Sequence, residues 1–201
     1  MSETLIDFLR HGEPEGGRRF RGNGADDPLS EKGWRQMWDA VGEHRPWQRI
    51  ISSPMKRCLE FATSLSERHA LPLSVDARFR EVGMGSWEGR SRAEIIASDE
   101  LQYRAFYADP ERNRPPDFEP LDSFSERVGS ALSDALRAHA GEHVLVVAHA
   151  GVIRAVLGYT LQAAPAAWYR ARVDNAAFTR LATDAFGLHL EFHNRPFLPV
   201  A

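Results

Sequence analysis

The chain is predicted to be an α/β protein, a three-layer α/β/α sandwich whose central sheet is mostly parallel with an antiparallel edge. Three observations in its 201 residues predict this. Short apolar, strand-like segments alternate with longer segments of helical periodicity, the order that yields a parallel sheet covered by helices. Val144-Leu145-Val146-Val147-Ala148 is almost continuously apolar, as a strand buried on both faces must be. The last two strand-like segments, 177–183 and 187–193, are separated only by a turn near Asp184–Gly187, which joins them as an edge hairpin.

The elements follow in order. Residues 4–9 form the first strand, which runs straight into Arg10-His11-Gly12. Residues 12–28 mix Gly16, Gly17, Gly22 and Gly24 with Arg18, Arg19 and Arg21, and read as a loop. Ser30 is an N-cap for a helix over 31–43, with Trp34, Met37, Trp38 and Val41 at helical spacing. Arg49-Ile50-Ile51-Ser52 is a short buried strand, and Ser53-Pro54 opens a helix to His69 with proline at the first helical position. Residues 73–76 are a further short strand. Ser91 and Glu94 make the capping box of a short helix, and Ser123 and Glu126 that of a helix to Ala140. Between them Pro110, Pro115, Pro116 and Pro120 mark 109–121 as an irregular excursion, read as a flap because no change of composition follows it. A helix over 152–161 follows the apolar strand, and 171–175 reads as another strand. Nothing repeats, so a single domain over 1–201 is expected.

Composition bounds the function. Apolar residues at 43% and charged ones at 26% are ordinary globular values. A net charge of −3 argues against a general nucleic-acid binder but leaves room for a local basic pocket. Cys58 is the single cysteine, which excludes an internal disulfide and fits a cytoplasmic setting. No apolar run reaches the roughly 20 residues of a membrane span, and the N-terminus carries no secretory pattern, so no membrane partner is expected.

Five stretches occur in a telling order. They are Arg10-His11-Gly12-Glu13, Pro28-Leu29-Ser30-Glu31-Lys32-Gly33, Ser52-Ser53-Pro54-Met55-Lys56-Arg57, Arg80-Glu81-Val82-Gly83-Met84-Gly85-Ser86-Trp87-Glu88-Gly89 and Val147-Ala148-His149-Ala150-Gly151. Together they resemble the histidine phosphatase superfamily, in the branch shared with cofactor-dependent phosphoglycerate mutase. The resemblance runs from about Leu5 to about Leu161. It implies a phosphoglycerate mutase-like fold and cleavage of a small phosphate ester through a phosphohistidine, with neither metal nor cofactor.

On that reading the residues take definite roles. His11 is the nucleophile and must be neutral, with one ring nitrogen free and the other held by a hydrogen bond. Arg10 and Arg57 clamp the phosphate, since guanidinium forks match its oxygens. His149 closes the pocket from a second strand end, and the Ala150 N–H, at the start of the next helix, is an anion donor. Glu81 stands at the position of the family's general acid. Glu88 is the competing carboxylate and reads as a turn residue. Where much of the family has a phosphate-contacting Asn, this chain has Pro14-Glu15-Gly16-Gly17-Arg18; Arg21 or Asn23 is the expected substitute, both toward the substrate. Arg154 reads as structural or rim. Cys58 reads as core, and a cysteine phosphatase is excluded because Ser64 stands where its arginine would be.

The short span between Glu81 and His149 favours hydrolysis over a mutase, which in the family carries extra sequence there. Retention of both His11 and Glu81 argues against a phospholigand-binding protein without activity. The short Gly-Gly-Arg loop at 16–18, Ala25-Asp26-Asp27-Pro28-Leu29-Ser30 with Gly33-Trp34, and Pro46-Trp47-Gln48-Arg49-Ile50 resemble α-ribazole 5′-phosphate phosphatases of the cobalamin pathway. That substrate carries one phosphate and a flat base, for which Phe20, Trp87, Phe106 and Tyr107 are the expected stacking surfaces. A phosphoglycerate or phosphoserine would instead draw on Arg18, Arg19 and Arg21. The expected partner is thus a small-molecule phosphate ester, and a homodimer is compatible with the sequence.

Overall fold

Side chains along a strand alternate between faces, and in the computed structural model, which describes residues 3–198, that alternation builds two cores on one sheet. The strands are β1 (Thr4–Arg10), β2 (Arg49–Ser52), β3 (Leu73–Val75), β4 (His143–Ala148), β5 (Phe178–Asp184) and β6 (Gly187–Arg195). The helices are α1 (Glu31–Val41), α2 (Lys56–His69), α3 (Arg92–Ala108), α4 (Leu121–Ala138), α5 (Ala150–Leu161) and α6 (Pro165–Trp168). Ile6, Phe8, Val144 and Val146 face one core with Phe124, Val128 and Leu132 of α4 and Val152 and Ile153 of α5. Leu9, Leu145 and Val147 face the other with Met37 and Val41 of α1 and Phe61 and Leu65 of α2. Both faces of β4 are covered, and each of its buried Val or Leu side chains contributes about 1.5–3 kcal/mol.

The sheet order is β3-β2-β4-β1-β5-β6. Pairs β1–β4, β2–β4 and β2–β3 are parallel, while β5 runs antiparallel to β1 and β6 antiparallel to β5. This is the predicted three-layer α/β/α sandwich with an antiparallel edge. Its register aligns three carboxyl ends: Arg10 sits opposite Ala148, and Ser52 opposite Val147. One residue on, His11 N–H bonds Ala148 O and Ser53 N–H bonds Val147 O, each at 3.0 Å, so His11, His149 and Ser53 emerge side by side.

Several local expectations change for physical reasons. Residues 171–175 are irregular, because Asp174 and Asn175 turn their polar groups to Asn194 and to the His11 carbonyl. The helix expected from Ser53-Pro54 begins at Lys56, with Met55 as its cap, since Ser53 still continues the strand ladder. Ser123 lies inside α4, which begins two residues earlier after Pro120. The Ser91–Glu94 capping box is complete, but its helix continues to Ala108 through non-helical Asp99. There the Asp99 carboxylate caps the Gln102 amide at 2.8 Å and starts a second helical run. The excursion at 109–121 is fastened: Phe118 is buried, Asp117 accepts from Ser86 N–H, and Glu119 from Gly83 N–H. The outer ends of the expected 1–201 domain lie outside the described residues. Among those residues no helix is long and apolar enough to cross a membrane.

Candidate active site

A cavity of about 1040 Å³ opens over the aligned strand ends. Nine arginines line it against three acids, Glu13, Glu81 and Asp174, so a chain of net charge −3 concentrates positive charge at one place. Clefts of one sign draw and hold ligands of the other.

His11 lies at its floor, 5% exposed. Its Nδ1 is 2.7 Å from the Gly12 carbonyl oxygen, which can only accept, so Nδ1 carries the proton and Nε2 keeps its lone pair. Burial first, then the charges of Arg10 and Arg57, hold its pKa well below 6.5. The ring is therefore neutral near pH 7, as a nucleophile must be. Gly12 lacks a side chain because the start of α1 presses against it: a Cβ there would lie 2.3 Å from the Gly33 carbonyl oxygen.

Two guanidinium groups flank this ring in the same manner. Arg10 Nη1–H donates to Val173 O at 2.6 Å; Arg57 donates to Ala25 O and Gly22 O at 2.9 Å each. Each is thus pinned by backbone carbonyls at its far end, while its Nε–H is buried with no partner among the described residues. Burial pulls Arg10 down to about 10, with Glu81 opposing and Arg154 and Arg57 adding to the fall, which leaves it charged. An orphaned buried donor costs about 1–3 kcal/mol, more for a charged group. Two such donors beside one neutral histidine suit an anion.

His149 ends β4, wholly buried, its ring centroid 5.2 Å from that of His11. Burial, then Arg57, His11 and Arg10, depress its pKa well below 6.5. Glu81 rests against the amino end of α5: its Oε2 accepts from Gly151 N–H at 3.2 Å and its Oε1 from Val82 N–H at 2.9 Å. A Cβ on Gly151 would fall 2.2 Å from Glu81 Oε1, so this glycine makes room for the carboxylate. Ala150 lines the cavity beside it, in the first turn of α5 where amides lack helical acceptors.

The structure thus brings together Arg10, His11, Arg57, Glu81, His149 and Ala150 and divides the other expected contacts between the cavity wall and the packed interior. Asn23 is exposed and off the cavity; its backbone N–H is drawn to Glu88 Oε1 at 3.2 Å, as the Gly24 N–H is to Oε2 at 2.8 Å. Glu88, which also accepts from Met84 N–H, is the staple of that turn. Arg21 reaches the cavity wall, but its Nε–H bonds Asp27 at 2.8 Å and its other donors bond the carbonyls of Glu15, Gly17 and Arg19. It holds the loop's shape more than it offers a free fork. Trp87 and Phe106 are buried in an aromatic cluster with Phe118, because burying such rings stabilises the 3₁₀ turn at Gly85–Trp87; they do not line the cavity. Phe20 and Tyr107 do, joined by Tyr103 and Tyr169. Arg154 lines it too, bonded to Ala171 O at 3.0 Å and lying over the Tyr169 ring. Sequence reasoning missed the 172–175 wall, which carried only a strand-like pattern, and the Ser53 hydroxyl, 2.7 Å from His149.

Residues 6–196 match the family described as histidine phosphatase superfamily (branch 1). The chain belongs to that superfamily.

It is 31% identical over 180 residues to the bifunctional protein Rv2228c of Mycobacterium tuberculosis, covering 88% of this chain and 49% of that one. The chain thus spans about half the length of the first curated relatives it matches. It is 32% identical to the probable phosphoglycerate mutase GpmB of Klebsiella pneumoniae, over 87% of this chain and 82% of the relative. Among solved structures it is similar to Bacillus stearothermophilus YhfR, with TM-score 0.86, 25% identity and 98% of both chains covered. It is also similar to mycobacterial glucosyl-3-phosphoglycerate phosphatase Rv2419c, with TM-score 0.82, 27% identity, and 96% and 99% coverage. The α-ribazole phosphatase from Shigella flexneri has TM-score 0.82 at 20% identity over 98% and 99%, a likeness of fold.

Proposed function

We propose that this chain is a metal-independent phosphomonoesterase that works through a phosphohistidine at His11. The observation that supports it most is the bare Nε2 of His11 beside two buried, unpartnered guanidinium N–H groups. His11 Nε2 attacks the phosphorus as the P–O bond to the alcohol breaks. Arg10 and Arg57 hold the phosphoryl oxygens, where charge is spread in the transition state. Glu81 gives the leaving alkoxide its proton; its carboxylate then takes a proton from water, whose oxygen displaces His11 and releases inorganic phosphate. Rim arginines Arg18, Arg19, Arg92 and Arg104 are solvent-exposed, so the mouth of the cavity is open to water, which supports hydrolysis over phosphoryl return. Acid quenching during turnover is expected to trap an acid-labile phosphoprotein, and activity is expected to survive exhaustive chelation. Activity restored only by added Mg²⁺ or Zn²⁺ contradicts the second expectation.

For the substrate, the cavity's charge favours an ester whose alcohol part bears a further anion, such as a phosphoglycerate derivative. Arg18, Arg92 and Arg154 line the cavity without an acidic partner among the described residues. α-Ribazole 5′-phosphate is the second reading, supported by the aromatic wall of Phe20, Tyr103, Tyr107 and Tyr169, on which a flat base can stack. The discriminating measurement is kcat/KM on 3-phosphoglycerate, phosphoserine and α-ribazole 5′-phosphate. Arg154→Gln is expected to lower the carboxylate substrates about tenfold. A higher value for α-ribazole 5′-phosphate, lost on Tyr107→Ala, moves the assignment to the second reading.

A further inference from the structure

The two histidines of the site face different kinds of hydrogen-bond partner. His11 meets a carbonyl, which fixes its tautomer outright. His149 meets a hydroxyl: Ser53 Oγ lies 2.7 Å from Nε2, and both residues are wholly buried. A hydroxyl gives or takes, so its direction follows from its other contacts. Met55 N–H already donates to Ser53 Oγ at 3.4 Å. The hydroxyl proton then needs an acceptor, and the one in reach among the described residues is His149 Nε2. The reverse arrangement would bury that proton without a partner. Nε2 therefore accepts, and the ring proton sits on Nδ1. Cys58 Sγ stands 3.8 Å from Nδ1 and 3.6 Å from Nε2, a weak partner to either nitrogen whose own S–H turns to Ala148 O. The Nδ1–H is left without a strong protein acceptor.

We propose that Ser53 is a positioning residue that holds His149 in the Nδ1–H tautomer, so that a neutral imidazole donates to a phosphoryl oxygen of the substrate. The assignment of the acceptor as phosphoryl rests on the phosphohistidine reading; the tautomer does not. Burial and the neighbouring arginines keep the ring neutral, so the proton's position is a real choice that something must make. The fold makes it by register. Ser52 pairs with Val147, which sets Ser53 and His149 on adjacent strand ends although 96 residues separate them. A donor fixed beforehand strengthens as charge gathers on the phosphoryl oxygens, without reorganising at the moment of reaction.

The test combines ¹⁵N-resolved NMR of the histidine rings with kinetics on p-nitrophenyl phosphate, for wild type, Ser53→Ala and Ser53→Thr, with His149→Gln assigning the signals. Wild type is expected to show His149 protonated on Nδ1. Ser53→Ala is expected to shift the ring toward Nε2–H and to lower kcat roughly 10- to 100-fold with KM changed less than threefold. Ser53→Thr keeps the hydroxyl and is expected to restore both. An Nε2–H tautomer in wild type, an unshifted ring in folded Ser53→Ala, or equal impairment in both variants overturns the proposal. The tautomer is read without turnover. An inactive wild type with His149 protonated on Nδ1 overturns the phosphatase reading and supports the part assigned to Ser53.

Discussion

Strand β1 places charge at its middle and at its carboxyl end and completes it only at the first. Midway, Asp7 is wholly buried and fully answered: Arg180 bonds both its oxygens at 2.7 and 3.0 Å, His143 Nε2 donates at 2.7 Å and Trp47 Nε1–H at 2.8 Å. Three residues on, Arg10 begins a cluster with Arg57, His11 and His149 in which positive charge exceeds negative and two guanidinium N–H groups have no partner among the described residues. Burial alone would raise the Asp7 pKa; its bonds from His143 and Arg180 outweigh that and hold it below 3.8. Nothing in the protein outweighs burial at His11, which stays neutral. A closed cluster stabilises the fold, whereas an open one stores unmet interactions for a ligand.

That contrast is sharpened by separating activity from stability. His11→Ala should reduce kcat/KM by at least about 10⁴-fold and abolish the trapped phosphoprotein, while stability falls by no more than about 2 kcal/mol in denaturant titration. Unchanged turnover would remove the nucleophile assignment. Asp7→Asn should do the reverse, costing about 3–5 kcal/mol of stability because the half-buried Arg180 and the His143 and Trp47 donors lose their wholly buried carboxylate. Its kcat/KM, measured well below the melting temperature, should remain within about twofold of wild type. A large kinetic loss with intact stability would mean the two clusters on β1 are coupled. Arg57→Lys should lower kcat/KM by about 10²–10³-fold, since one ammonium cannot hold Ala25 O, Gly22 O and a phosphate together.

The smallest effect is in pH dependence. The unfolded chain takes up protons at positions 11 and 149 as pH falls through 6.5, and the folded chain, with His11 and His149 depressed, does not. Their contribution to stability is thus complete above pH 6.5 and declines below it, each of the two adding a slope of about 1.4 kcal/mol per pH unit. The Asp7 contribution is complete above 3.8 and lost as pH falls through its lower folded value. His11→Asn should make the decline below pH 6.5 shallower and leave the more acidic loss in place. An unchanged slope would show that His11 is charged in the folded protein.

The sequence by itself determined the alternating elements, the doubly buried β4 and the strand exits that carry His11 and His149. Those signals are local: apolar periodicity, cap residues and short motifs are written within a few neighbouring positions. Arg57, Glu81 and Ala150 were legible for the same reason, since each sits inside a motif beside a strand or helix end. Arg21 looked like a ligand contact and serves as a loop staple, because its partners at Glu15, Gly17 and Asp27 are fixed only once the loop closes on itself. Asn23 lost its expected place to Glu88, and Trp87 its place at the mouth to the aromatic core. The closed Asp7 cluster joins β1, β4, β5 and Trp47, and the Ser53–His149 bond joins two strand ends, so neither exists until sheet register is set. Residue type and spacing decided which chemistry was available; which donors are satisfied, and which remain open to a phosphate, depends on contacts across long stretches of chain that only tertiary packing brings together.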